Sequence, residues 1–385
     1  MSRSIAVLTS GRQDWGILRS TCAALRDDAR FTMSLWTGGM HEAVAFGLTR
    51  RDVEAEGFVP VEKLSWIESS DDGASLQASR ALVAVAAALE RQRPAALMLV
   101  GDRFETAAAA LAATLARVPL IHLHGGEETE GAFDNALRHS ISKMSHLHLV
   151  SCEAHARRLK QMGEGPGSVH VVGAPGLDNL HRTDLATREE LEAHLKMPLR
   201  PPVVVVTLHP ATLGGEPSAE AAALVAAMDL VPATYVITLP NADPGNAAIR
   251  AALIDAAGKP GRVATTALGE RRYWGLLRIA DAMLGNSSSG LVEAPALGLP
   301  VVNIGERQRG RERGDNVLDA PADAERIATA LRASLLPESR ARARAGASPF
   351  GDGRSAPRIV EVLAAWRPPF PPVKRFHEMK ERTDG

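Results

Sequence analysis

The chain has 385 residues, of which 45% are apolar and 23% charged, a balance typical of a globular protein with about two domains. Its 44 basic and 45 acidic residues leave a net charge of −1, so no positive field is available to attract a nucleic-acid backbone or an anionic membrane. Two cysteines, Cys22 and Cys152, and the lack of an apolar stretch of signal-peptide or membrane-span type lead us to expect a cytoplasmic protein without disulfides.

Short β-branched runs alternate with longer alanine- and leucine-rich segments in the first half of the chain. Strands are predicted at Ile5–Leu8, Met33–Trp36, Ala96–Val100, Pro119–Leu123, Leu147–Val150 and Val169–Val172. Helices are predicted at Asp14–Arg26, Ala74–Arg91, Glu105–Ala116, Asn135–Met144 and Ala154–Met162. Alternation of this kind gives a parallel sheet that is covered by helices on both faces.

The segment Gly173–Gly176 interrupts this pattern and is the predicted hinge. After it, strands are predicted at Val203–Val206, Tyr235–Thr238, Met283–Leu284 and Val301–Val302. Helices are predicted at Glu216–Met228, Gly245–Ala257, around Leu276–Ile279, from near Gly290, at Ala322–Leu335 and at Ser355–Trp366. The fold class is therefore α/β, with two doubly wound Rossmann-like domains and an interdomain cleft. The proline-rich segment Arg367–Pro372 is expected to form an extended strap.

Three carboxylates follow strands of the first half. Asp102 follows the strand that ends at Val100, Glu127 follows the strand that ends near Leu123, and Asp134 begins the next helix. Ligands of doubly wound sheets bind beyond the carboxyl ends of the strands, so these side chains are expected at one mouth of the sheet. Clustered carboxylates push their pKa values apart, which allows one to act as an acid and another as a base. Turn chemistry and helix capping are the alternatives.

The turn after the first strand contains one arginine, Arg12. Backbone N–H groups at a helix start favour an anion and Arg12 can add positive charge, but an ordinary turn with a solvated arginine is an equal alternative. No G-x-G-x-x-G motif follows this strand and no G-x-x-x-x-G-K-[ST] motif occurs in the chain. Dinucleotide oxidoreductases and P-loop NTPases therefore lose support.

His122, His124 and Glu127 have a spacing that a metal site could use. However, no further histidine or cysteine is spaced as a partner pair. We therefore expect neither a metal nor a cofactor.

The second half offers a histidine and an anion-binding loop. Strand Val203–Val206 is followed by His209, which can donate to a phosphate or take part in acid–base chemistry. The loop after Met283 and Leu284 opens a helix, and its amides and hydroxyls form an anion cradle at the positive helix end: Ser287, Ser288, Ser289 and Gly290. Glu293, one turn into the helix, can accept hydrogen bonds from sugar hydroxyls. A nucleotide diphosphate is the natural ligand, and a well-capped helix is the alternative.

Taken in chain order, these motifs resemble the hydrolysing UDP-N-acetylglucosamine 2-epimerases from about residue 5 to residue 366. The segments that carry the resemblance are Gly101–Glu105, His122–Glu127, Asp134–His139, Ile141–His146, His209–Pro210, Asn286–Gly290 with Glu293, and Asn303–Gln308. Two departures stand out. Ser10 takes the place of the family's usual glycine and Gly11 that of its threonine, and Asn135 stands where a second acidic residue often occurs.

The resemblance implies a GT-B-like architecture with an N-terminal domain over residues 1–175, a UDP-binding domain over residues 176–366 and a tail over residues 367–385. It further implies conversion of UDP-N-acetylglucosamine to N-acetylmannosamine and UDP through a glycal, for sialic-acid-type sugars. The same reaction on UDP-N,N'-diacetylbacillosamine, in legionaminic acid synthesis, is the alternative within the family. A homodimer or homotetramer is implied, and nucleic acid and membranes are not expected partners.

Roles follow from this resemblance as a hypothesis. Proton removal, proton return and water activation are divided among Asp102, Glu127 and Asp134 in an order that stays open. His209, Arg12 and the Ser287–Gly290 cradle hold the diphosphate, and Glu293 holds the ribose. Arg138 and His139 orient a carboxylate or the substrate. A GT-B glycosyltransferase that needs an acceptor and a nucleotide-sugar sensor without turnover are the competing functions.

Overall fold

A computed structural model of the chain describes residues 2–69, 72–129, 134–210, 216–240, 246–266, 268–366 and 374–379. The described residues cluster into two compact units. The first contains those within 1–127, 133–178 and 353–385, and the second those within 128–132 and 179–352. Each unit is built on one parallel sheet.

Thirteen strands occur among the described residues: β1 Arg3–Thr9, β2 Phe31–Gly38, β3 Glu62–Leu64, β4 Ala96–Val100, β5 Leu120–Leu123, β6 Leu147–Val150, β7 Val169–Val171, β8 Val203–Thr207, β9 Thr234–Thr238, β10 Arg262–Thr265, β11 Ala282–Gly285, β12 Val301–Ile304 and β13 Val317–Ala320. The same part of the chain forms fourteen α-helices: α1 Arg12–Arg26, α2 Arg50–Ala55, α3 Ala74–Gln92, α4 Phe104–Leu115, α5 Asp134–Met144, α6 Glu153–Gln161, α7 Arg188–Leu195, α8 Pro217–Leu230, α9 Asn246–Ala257, α10 Glu270–Ile279, α11 Ser289–Ala296, α12 Ala324–Ser334, α13 Pro337–Ala345 and α14 Ser355–Ala365.

The sheet of the first unit has the order β3-β2-β1-β4-β5-β6-β7, and all its strand pairs are parallel. Successive side chains of a strand point to opposite faces, so Ile5 and Val7 enter one core while Ala6 and Leu8 enter the other. Strand order reverses between β1 and β4, and ligands of such sheets bind at this switch point. The loops that follow β1 and β4 are therefore the place to look for the site.

The sheet of the second unit has the order β10-β9-β8-β11-β12-β13 and is also entirely parallel. Val204 and Val206 face one core, whereas Val203 and Val205 face the other. The switch point lies between β8 and β11, whose loops carry His209 and the Ser287–Gly290 segment. Two doubly wound parallel sheets confirm the predicted fold class.

The last helix differs from the predicted domain division. Helix α14 falls within 176–366, yet it belongs to the first unit. Its buried Ile359 and Leu363 join the same core as Leu18 and Leu25 of α1. Asp178 accepts hydrogen bonds from the first amides of this helix, at 2.7 and 2.8 Å. Apolar packing therefore returns the end of the chain to the first unit.

The proline-rich segment and membrane-spanning helices are the two remaining features that the sequence analysis considers. The segment Arg367–Pro372 lies outside them. In the part of the chain that is described, no helix is long and apolar enough to cross a bilayer.

Candidate functional site

Asp102 is held by a buried arginine from another element. Its carboxylate forms an ion pair with Arg138 of α5, which is only 2% exposed. The same guanidinium donates to the Glu127 main-chain oxygen at 3.0 Å and to Asn135 Oδ1 at 2.7 Å. A planar guanidinium offers five N–H donors in a fixed geometry, which suits it to join three segments. Arg138 therefore links the loops after β4 and β5 to helix α5.

Asp134 and His139 lie on the same helix as Arg138. Asp134 is the first residue of α5, and both side chains are half-buried. Arg138 connects this helix to Asp102 and to the main chain at Glu127. The three elements that carry Asp102, Glu127 and Asp134 are therefore linked by one side chain.

The Glu127 carboxylate is oriented by two neighbours. Its Oε1 lies 2.6 Å from His124 Nδ1 and 3.4 Å from Ser151 Oγ, and Ser151 Oγ also lies 3.1 Å from His124 Nδ1. His155 packs nearby, where burial lowers its pKa to about 4 although the negative charge of Glu127 acts in the opposite direction. His155 is therefore neutral near pH 7.

Two buried carboxylates, Asp14 and Glu105, lie at the switch point of the first unit. Ser10 Oγ donates to Asp14 Oδ2 at 2.6 Å and lies 3.1 Å from Glu105 Oε1, which also accepts from Arg103 Nε at 2.7 Å. Burial raises the pKa of Asp14 to about 6, against the hydrogen bonds from Ser10. These carboxylates were not among the predicted site residues.

Arg12 stands apart from these groups. Its side chain is 59% exposed and pairs with Asp52 of α2 at 3.1 Å. The structure thus places it on the solvent side of the first turn of α1.

In the second unit, His209 is fixed through its main chain. Asn286 accepts from the His209 N–H at 2.7 Å and donates to the His209 carbonyl at 2.8 Å. The Asn286 carbonyl in turn accepts from Gln308 Nε2 at 2.7 Å and from Arg307 Nη1 at 3.1 Å. The loops after β8, β11 and β12 are therefore joined around one fully buried asparagine.

The loop after β11 is held by close packing against β8 and by hydrogen bonds of its serines. Gly285 has a φ of +134°, and a Cβ there would come within 1.9 Å of the Thr207 carbonyl, so the two strands of the switch point meet closely. The Ser289 N–H donates to Ser287 Oγ at 3.3 Å, and Ser289 Oγ accepts from Tyr273 at 2.7 Å. Burial raises the pKa of Tyr273, and the charge of Glu293 acts in the same direction. Ser288 precedes the first residue of α11.

The sequence analysis assigns no supporting role to the residues that hold this framework, above all Asn286, Ser151 and His122. His122, considered above as a possible metal ligand, is completely buried and bonds to protein atoms. Among the described residues, no group of three His, Cys, Asp or Glu side chains is arranged to hold a metal ion. An asparagine directly after a strand at a switch point was the signal that could have identified Asn286.

Comparison with known proteins agrees with this architecture. The sequence profile of the UDP-N-acetylglucosamine 2-epimerase family matches residues 23–364. The GDP/UDP-N,N'-diacetylbacillosamine 2-epimerase (hydrolyzing) of Campylobacter jejuni is 36% identical over 324 residues, which are 83% of this chain and 84% of the relative. The UDP-N,N'-diacetylbacillosamine 2-epimerase (hydrolyzing) of Legionella pneumophila is 32% identical over 370 residues, 94% of this chain and 96% of the relative.

The crystal structure of UDP-GlcNAc 2-epimerase from Neisseria meningitidis bound to UDP-GlcNAc matches with a TM-score of 0.81 at 17% identity, covering 94% of this chain and 100% of that one. The two doubly wound sheets and this likeness define a protein of GT-B-like architecture. The chain belongs to the UDP-N-acetylglucosamine 2-epimerase family, as the motifs indicated, and is an epimerase.

Proposed function

We propose that this protein hydrolyses a UDP-linked 2-acetamido sugar with inversion at C2, and that its preferred substrate is UDP-N,N'-diacetylbacillosamine. The choice of sugar is supported by the names of the Campylobacter and Legionella relatives, at 36% and 32% identity. UDP-N-acetylglucosamine, which gives N-acetylmannosamine, is the second candidate because the family carries its name.

The chemistry explains why carboxylates and a diphosphate-binding loop are both needed. The C2–H bond has no adjacent carbonyl, so direct removal of this proton would leave an unstabilised carbanion. If the C1–O bond to UDP stretches first, positive charge grows on the ring and acidifies C2–H. A carboxylate then takes the C2 proton, the C2–H electron pair forms the C1=C2 double bond of a glycal, and UDP leaves with the C1–O electron pair. Water adds at C1 and a proton returns to C2 from the opposite face, which gives free epimerised sugar.

The observation that carries the assignment is the contact set of Arg138. One buried guanidinium binds the Asp102 carboxylate and the main chain at Glu127, from the helix that begins with Asp134. Fixed carboxylates on three elements supply the acid, base and water-activating groups that the reaction requires. We therefore assign proton removal, proton return and water activation to Asp102, Glu127 and Asp134.

The second unit holds UDP in this proposal. The amides and hydroxyls of residues 287–290 lie at the start of α11, where the helix dipole favours an anion. His209 adds a donor to the diphosphate, and Glu293 accepts from the ribose. Arg12 belongs to the first unit and adds its donors to the diphosphate once it leaves Asp52. Departure of UDP is favoured because donors already stand where its negative charge develops.

The test is an incubation in heavy water with each UDP-sugar and no acceptor. We expect UDP release together with a free 2-epimer that carries deuterium at C2, as detected by chromatography and proton NMR. A higher kcat/KM for the bacillosamine derivative supports the first substrate, and a higher value for UDP-N-acetylglucosamine supports the second. Turnover only with an acceptor, or binding without turnover, contradicts the proposal.

Asp102→Asn and Glu127→Gln are each expected to lower kcat by ~10²–10⁴-fold, the usual contribution of one acid–base group. Glu153→Gln is the matched control, because this exposed glutamate of α6 undergoes the same change of charge in the same unit. Near-normal UDP release by both site variants would refute the roles.

A further inference from the structure

His122 lies at the centre of the framework that carries the three carboxylates. It is the third residue of β5 and is completely buried. Its Nε2 lies 2.8 Å from the Gly101 carbonyl, and its Nδ1 lies 3.1 Å from Ser142 Oγ. Gly101 directly precedes Asp102, and Ser142 lies on α5, one turn after Arg138. One imidazole therefore joins the strand before Glu127, the Asp102 loop and the helix of Asp134.

The direction of both hydrogen bonds follows from their partners. A carbonyl only accepts, so Nε2 carries the proton and donates to Gly101. Nδ1 then holds the lone pair and accepts from the Ser142 hydroxyl. Burial lowers the pKa of His122 to about 3, and nearby His148, His124 and Arg138 act in the same direction. The ring is neutral, and both bonds keep their direction, across any pH at which a folded enzyme works.

The backbone after β5 packs directly against this ring. A Cβ on Gly125 would come within 2.8 Å of His122 Nδ1 and 2.9 Å of Ser142 Oγ, so this position has no room for a side chain. On the other side, Gly101 has a φ of +76°, in the left-handed region that favours glycine. Glycines therefore flank the imidazole on both hydrogen-bonded sides, for two different reasons.

We propose that His122 is a positioning residue for the epimerase reaction, which sets the direction of Asp102 through the Gly101 carbonyl and ties that loop to helix α5. The inference rests on the proposed function in one respect, since it takes Asp102 as an acid–base group. A displacement of about 1 Å of a reacting group can cost ~10²-fold in rate. The loss is expected in kcat, because His122 is completely buried and its hydrogen-bond partners are Gly101 and Ser142, neither of which is assigned to UDP binding.

The kinetics of His122→Asn and His122→Gln test the hydrogen bond from residue 122 to the Gly101 carbonyl separately from the other contacts of the ring. Glutamine can place its Nε2 donor near the position of the imidazole Nε2, whereas asparagine reaches only as far as Nδ1. We expect His122→Asn to lower kcat by ~10²-fold with KM changed less than about threefold, and His122→Gln to retain kcat within about fivefold of the wild type. Equal kcat values for the two variants would overturn the inference.

His148→Gln is the matched control for a purely structural loss. His148 is also completely buried, pairs in register with His122 on β6, and bonds to Glu164. We expect it to lower Tm without lowering kcat more than about twofold. If His148→Gln and His122→Asn lose kcat in equal proportion to their loss of Tm, His122 has only a structural role.

Crystal structures of the wild type and His122→Asn separate failure of this inference from failure of the proposed function. We expect Gly101 and the Asp102 carboxylate to shift by ~1 Å relative to Arg138. Unchanged positions refute the positioning role whatever the substrate is. Inactivity of the wild type on both UDP-sugars refutes the proposed function, while the structural comparison still decides the role of His122.

Discussion

Asn286 shows how much of the candidate site depends on residues that touch no reacting atom. Its side chain bonds to both the N–H and the carbonyl of His209. Its own carbonyl accepts two hydrogen bonds from the loop after β12. Such a residue keeps a loop in one conformation, so a ligand does not have to order it on binding. His122 has the same relation to Asp102.

We predict that Asn286→Ala weakens UDP binding by about 5- to 150-fold, because the two buried backbone groups of His209 lose their partner at a combined cost of ~1–3 kcal/mol. Isothermal titration calorimetry with UDP measures this. Asn316→Ala is the control, since Asn316 is also buried and donates to a main-chain oxygen, that of Leu299, at 2.9 Å. It should lose stability and keep its affinity for UDP. Equal affinities in both variants would contradict the role of Asn286.

For single residues, the sequence predicted charged site residues but not the buried residues that hold them in place. Asp102 and His209 each stand two residues after the end of a strand and Glu127 stands four residues after one, and such positions are readable from the hydrophobic pattern. His122 lies within β5 and resembles a core residue, because its partners Gly101 and Ser142 are 21 and 20 residues away. A pairing over such a distance depends on the packed sheet, so one sequence does not reveal it.

Among the elements, helix α5 is fixed at both ends. Arg138 anchors its first half to the Asp102 loop, while Lys374 of the C-terminal segment donates to the carbonyls of Ser142 and Lys143 at 3.0 Å. The Lys143 ammonium lies over the ring of Phe376, with Nζ 4.9 Å from the ring centroid. A cation at a helix C-terminus also interacts favourably with the helix dipole. The C-terminal segment therefore stabilises the helix that carries Asp134.

Glu164 joins the C-terminal segment to this helix. Its buried carboxylate accepts from Lys143 Nζ at 2.7 Å, from His148 Nε2 at 2.9 Å and from Lys374. Burial raises its pKa, but the hydrogen bonds from His148, Lys143 and Lys374 outweigh this effect and bring the pKa to about 2. Since the folded pKa lies below the ordinary value, this carboxylate stabilises the protein above pH ~4.5, and the stabilisation is lost as the pH falls towards 2.

We predict that Glu164→Gln lowers the free energy of unfolding by about 1–3 kcal/mol at pH 7. The difference from the wild type should shrink between pH 5 and pH 3, because the wild-type carboxylate then loses its advantage. Urea titrations at pH 7, 5 and 3 measure it, with Glu153→Gln as the exposed control. A difference that stays constant over this range would contradict the assignment.

Elements with a clear apolar period were predicted more accurately than those without one. Strand β4 and helix α3 match their predicted bounds to within one residue, because each has a clear apolar period. The sequence analysis missed α2, α7, α13 and the strands β3, β10 and β13. These strands have only three or four residues and lie at or near sheet edges, where exposed faces blur the apolar pattern.

At the scale of the whole molecule, the proposed function gives the two units different tasks. The proposed acid–base groups follow strands of the first sheet, and the proposed UDP-binding groups other than Arg12 follow strands of the second. Binding of UDP alone should therefore protect one unit more than the other.

We predict that UDP slows backbone hydrogen exchange at residues 207–210 and 285–293, because a ligand that binds the native state makes local opening less favourable. Residues 96–104 should exchange as they do without ligand. Mass spectrometry of peptic peptides measures both regions. Asp102→Asn should show the same protection by UDP as the wild type while lacking turnover. Protection confined to the first unit would reverse the assignment.

The amino-acid sequence by itself determined the fold class and the family, and it predicted charged residues for a candidate site. These depend on local apolar periods and on short motifs at strand ends, which a linear chain displays directly. Only the tertiary structure decided that α14 returns to the first unit, that Arg138 binds Asp102 and that His122 joins Gly101 to Ser142. Such pairings link residues far apart in the chain. They form because a buried polar group without a hydrogen bond costs free energy, and because the packing of the sheets decides which groups are close enough to bond.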